Sequence, residues 1–172
     1  MAIIKFIPTR KEIPSFQKEI PGANCYHIEL SVLLDGIQYY NYLVNIESIA
    51  EFLNPNKSEY REYSFWTCSC GVLGCLGLSE MTVLKDDENE LKTLFQTPSG
   101  TTKLINIQKD QLKDALLELI NDINLIEEET PGYCIGIDID SEKTSFPLFD
   151  LKSFIKYQVE NYSKNRKSTF KI

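Results

Sequence analysis

The chain has 172 residues, with 18 Lys and Arg against 25 Asp and Glu, for a formal net charge of −7. Hydrophobic residues make up 42% and charged residues 25%, which excludes a disordered segment, a collagen-like fibre and a disulfide-dense miniprotein. At roughly 100–200 residues per domain, the length fits one domain over 1–172, with a sizeable core.

The opening Met1-Ala2-Ile3-Ile4-Lys5-Phe6-Ile7-Pro8 is too short an apolar stretch for a secretory segment, and no later run is long enough to span a bilayer. The expectation is a cytoplasmic protein with no membrane partner. Ile3 to Ile7 predicts a short strand. Pro8, Pro14 and Pro21 then punctuate a loop-rich stretch over about 8–24. Cys25 to Leu34 is strand-like, and Ile37 to Val44 follows it after Asp35-Gly36. An Asp-Gly pair between two β-rich runs predicts a hairpin, because a type I′ turn needs positive φ at both central residues.

Asn45 is placed to cap a short helix through Ile46, Ile49, Ala50 and Leu53, which Asn54-Pro55 ends. Tyr60 to Thr67 and Leu76 to Leu84 predict two strands around a Cys- and Gly-rich loop. Asp86-Asp87-Glu88 predicts a solvated turn. Leu91–Phe95 and Lys103–Ile107 flank Thr97-Pro98-Ser99-Gly100 as a second hairpin.

The longest predicted helix covers about Lys109 to Glu127. Its Leu112, Leu116, Leu119, Ile120, Ile123 and Ile126 form one apolar stripe at helical spacing. Tyr133 to Asp140 predicts a strand with alternating Ile. Asp150 is placed to cap a last helix through Leu151, Phe154, Ile155, Val159 and Tyr162, and a basic tail closes the chain at about 164–172. Hairpins with helices between and after them predict an α+β fold. Its mainly antiparallel sheet would pack against one long helix and one or two shorter ones.

Five cysteines, an odd number, argue against a secreted disulfide framework. Three of them crowd into Cys68-Ser69-Cys70-Gly71-Val72-Leu73-Gly74-Cys75. Thiolates are good zinc ligands, and structural zinc wants four N or S donors. The C-x-C-x4-C spacing supplies three. A fourth would come from Cys25, His27 or Cys134, all distant in sequence. The expectation is inert, reduced cysteine and no cofactor. A zinc site on Cys68, Cys70 and Cys75 is the alternative.

Thr67 through Gly77, Thr-Cys-Ser-Cys-Gly-x-x-Gly-Cys-x-Gly, resembles a signature in a family of small uncharacterised bacterial proteins. Some members resemble immunity proteins of toxin–immunity systems, which bind a toxin domain. The resemblance spans about Cys25 to Glu127. It implies a protein partner, such as a toxin domain, and carries over no catalytic residue.

The residues themselves present no catalytic constellation. His27 is the only histidine. It shares a predicted strand face with Cys25, and an ordinary half-buried strand histidine is the commoner reading than a Cys–His pair. Asp138 and Asp140 share one strand face, a wet face over buried isoleucines. Phosphate-loop, dinucleotide and His-Glu-x-x-His patterns are missing from the sequence.

The acidic balance argues against a nucleic-acid partner, since phosphate contacts need clustered Lys and Arg. It favours a non-enzymatic acidic binding protein attracted to a basic surface. Candidate contact residues are the carboxylates of Asp86, Asp87, Glu88, Asp138 and Asp140, with an aromatic anchor among Tyr39, Tyr40 and Tyr42.

Overall fold

The computed structural model describes residues 3–12, 25–39, 43–44, 46–54, 66–67, 81–96, 101–129, 133–137 and 148–169. Within them the fold is α+β. The strands are β1 (Ile4–Glu12), β2 (Cys25–Leu34), β3 (Ile37–Tyr39), β4 (Leu43–Val44), β5 (Trp66–Thr67), β6 (Met81–Asp86), β7 (Glu90–Gln96), β8 (Thr102–Gln108) and β9 (Tyr133–Ile137). The helices are α1 (Ile46–Glu51), α2 (Lys109–Glu129) and α3 (Leu148–Thr169).

One sheet is built on β2. β1 runs antiparallel along its whole length, from Ile4 opposite Leu34 to Glu12 opposite Tyr26. On the other side, β3 pairs antiparallel with the end of β2, and β9 pairs parallel with its beginning. Alternation does the sorting: Ile4, Phe6, Tyr26, Ile28, Leu30, Val32 and Leu34 all point to one buried face. α2 packs across β1 on that face through Leu112, Ala115, Leu116, Leu119, Ile120 and Ile123. These are the residues of the predicted stripe with Ala115 added, except that Ile126, its last member, is only partly buried. α3 packs against α1, α2 and β9, and buries Leu151, Ile155, Val159 and Tyr162.

The β2–β3 turn has the backbone its sequence demands. Asp35 has φ 53° and Gly36 has φ 78°, the two positive values of a type I′ turn. The Asp35 carboxylate also accepts the backbone N–H of Ile3 at 2.9 Å, tying the start of β1 to the hairpin.

A second, three-stranded antiparallel sheet has the order β6-β7-β8. Leu91, Ile105 and Ile107 are buried on one face. The cross-strand pair Leu94–Leu104 lies on the other, with Leu104 exposed. A register shift between Val83 and Lys85 places an irregularity at Leu84, which is also exposed. β4 and β5 form a separate antiparallel pair.

Several predicted boundaries move. β1 does not stop before Pro8 but continues to Glu12, so the loop-rich stretch cannot begin at residue 8. Proline lacks an N–H, and a strand at the margin of a sheet tolerates that. Of the strand predicted over Leu76–Leu84, residues 76–80 lie outside the described residues, and the strand ends at Asp86 rather than Leu84. α3 begins at Leu148, so Asp150 stands in its first turn rather than capping it. The same helix runs to Thr169 and takes up most of the predicted basic tail. Of the strands predicted over Tyr60–Thr67 and Tyr133–Asp140, residues 60–65 and 138–140 lie outside the described residues.

Candidate functional site

The predicted acidic turn is a structural junction. Asp87 starts it: its Oδ1 accepts the N–H groups of Asn89 at 2.8 Å and Glu90 at 2.9 Å. This is the side-chain-to-backbone mimicry that makes Asp a turn former. The Asn89 carbonyl then accepts the N–H of Lys109, the first residue of α2, at 2.9 Å. Asp86 faces the core side of its sheet, where its Oδ1 lies 2.5 Å from Lys109 Nζ. The Lys109 side chain is fully buried and that of Asp86 is 13% exposed. The Asp86 carboxylate is therefore the counter-charge of a buried lysine, not part of a solvated rim. Glu88 is exposed.

The C-terminal half of α3 closes the same junction. Arg166 donates from Nη1 to the Asp110 carboxylate and, at 2.9 Å, to the Tyr162 hydroxyl. It donates from Nη2 to Asn89 Oδ1 at 3.1 Å. Tyr162 donates its hydroxyl to Asp110 at 3.2 Å. The Arg166 hydrogen bond holds the Asp110 carboxyl below its ordinary pKa. Burial, followed by the Asp110 charge, pushes the Tyr162 hydroxyl up. Asp110 is in the first turn of α2, where the helix dipole also favours an anion.

On the outer face of the β1–β2 ladder, His27 Nε2 lies 3.3 Å from Glu29 Oε1. Among the described residues, the opposite ring nitrogen, Nδ1, is buried without a hydrogen-bond partner. Lys11 approaches the same Glu29 at 3.7 Å. The Cys25 half of the Cys–His reading lies outside the described side chains.

Of the other candidate contact residues, Tyr39 ends β3 opposite Val32, and its side chain lies outside the described set. Tyr40, Tyr42, Asp138 and Asp140 lie outside the described residues, as do Cys68, Cys70 and Cys75. Among the described residues, no group of three His, Cys, Asp or Glu is placed to hold a metal ion.

Sequence reasoning missed the solvent face of α2. This 21-residue helix carries seven carboxylates against two lysines, and one of those lysines, Lys109, is buried on Asp86. Asp114, Glu118, Glu128 and Glu129 are exposed, with Asp122 half-buried beside them; Glu118 reaches back to Lys5 of β1 at 3.1 Å, and Asp114 lies 3.4 Å from Lys113. Leu117 and Leu125 are 38% and 52% exposed. The signal was present: both leucines fall off the apolar stripe, and the helix ends in three consecutive glutamates with no basic residue in its last turn.

No family model, curated protein or solved structure matches the chain. Among the described residues, no helix is long and apolar enough to cross a membrane.

Proposed function

We propose that the protein works by protein–protein contact, as a non-enzymatic acidic binding protein of the immunity type, acting in the cytoplasm of a bacterial cell on a basic partner such as a toxin domain. The observation that carries this reading is the solvent face of α2. It gathers exposed carboxylates of a chain with net charge −7 around exposed leucines. A field of one sign speeds encounter with a surface of the opposite sign, and apolar contact then holds the complex. Toxin domains that act on nucleic acid need a basic cleft, which gives such a field a target.

Affinity capture from the native host, followed by purification of the complex, tests the reading. A stoichiometric complex with one basic protein, weakened by salt, is expected. Failure to recover such a partner, together with turnover of a small molecule by the pure protein, overturns it.

A further inference from the structure

We infer that the C-terminal half of the α2 solvent face is a docking ridge for a basic amphipathic helix of the partner, with Leu125 as its anchor. This inference rests on the binding-protein reading and names the site and the chemistry of its occupant.

Helical spacing places four residues around Leu125. Asn121 and Asp122 lie one turn before it, and Glu128 and Glu129 one turn after. Leu125 is half exposed at the middle of that group. Leu117, Asn121, Leu125 and Glu129 recur every four residues and so form one ridge of the helix surface. Its two leucines are about 12 Å apart along the axis at 1.5 Å per residue. Ridges of this kind seat in the groove of a crossing helix. A partner helix with a row of apolar side chains between Lys or Arg residues would meet both the leucines and the carboxylates.

The electrostatics of α2 point to the same occupant. Carbonyl groups at a helix C-terminus already carry partial negative charge, so carboxylates in the last turn are unfavourable there. Glu127 is relieved by Lys152 of α3 at 2.7 Å. Among the described residues, no basic side chain pairs with Asp122, Glu128 or Glu129. Cationic side chains from outside would answer all three.

The test uses the full chain and a defined probe. The probe is a peptide of about 18 residues made of Leu and Lys, with leucines along one helical face, long enough for about five turns. A scrambled peptide of the same composition serves as control. Saturable binding of the helical peptide is expected, with amide shifts concentrated over residues 117–129. Leu125→Asn, and separately Glu128→Lys with Glu129→Lys, should each weaken it roughly tenfold or more. The glutamate reversals should at the same time raise the thermal midpoint, because they place cations at a helix C-terminus. A merely structural role for these glutamates would lower it.

Equal binding by wild type and both variants, or shifts centred elsewhere, overturns the ridge and leaves the acidic-binder reading standing. Absence of binding by either peptide at low ionic strength overturns both.

Discussion

Arg166, near the end of α3, donates to the carboxylate of Asp110, in the first turn of α2, across 56 residues of chain. Through Asn89 the same guanidinium also holds the β6–β7 turn. One side chain thus locks together a sheet and two helices.

That junction has a defined acid response. The folded-state pKa of Asp110 is depressed below 3.8, so its contribution is present above the unfolded value and is lost as pH falls through the folded one. Asp110→Asn should therefore flatten the loss of stability below about pH 4, with little change in slope between pH 6 and 8. The Asp110 side chain is 56% exposed, which screens the pair. A double-mutant cycle of Asp110→Asn with Arg166→Gln should give a coupling of about 0.2–1 kcal/mol at pH 7 by urea unfolding.

The buried pair behaves differently. Removing Asp86 strands the fully buried Lys109, so Asp86→Ala should cost about 3–5 kcal/mol. Replacing both, Asp86→Leu with Lys109→Met, should recover most of that loss. Chemical denaturation of the two variants beside the wild type decides whether Asp86 serves the fold or the rim.

Two adjacent leucines separate core from surface. Leu116 is fully buried on the sheet side of α2, and Leu117 is 38% exposed. Leu116→Ala should cost about 2–5 kcal/mol. Leu117→Ala should stay within about 0.5 kcal/mol, measured the same way.

The β2–β3 turn depends on Gly36. A Cβ there meets no atom within 4 Å, so Gly36→Ala tests backbone conformation alone. With φ at 78°, the substitution should cost about 1–2 kcal/mol in thermal or urea unfolding.

The cysteines yield to direct titration. The expected result is five thiols reactive with a disulfide reagent in denaturant and no stoichiometric zinc by elemental analysis. One zinc per chain would make Cys68, Cys70 and Cys75 a metal site.

What could be read from the sequence was local. The 35–36 turn, the limits of β2 and the stripe of α2 follow from spacing and turn chemistry. The course of β1 past Pro8 did not, because tolerance of proline depends on which edge of the strand is paired. The role of Asp86 was hidden for a similar reason. An acidic tract reads as solvated until the chain brings a lysine under it from 23 residues away. Leu117 and Leu125 were visible as residues outside the stripe, but only the packed sheet shows which side of α2 faces water.

The proposed attraction between the acidic surface and a basic protein is measured most directly by the association rate. With the captured partner, stopped-flow association at about 0.01 M salt, where the Debye length is about 30 Å, is compared with about 1 M, where it is about 3 Å. Association should slow by at least tenfold at high salt, and Glu128→Lys with Glu129→Lys should remove much of the difference. A rate independent of salt would contradict an acidic surface that steers a basic partner, and one that the two reversals leave unchanged would contradict its placement on α2.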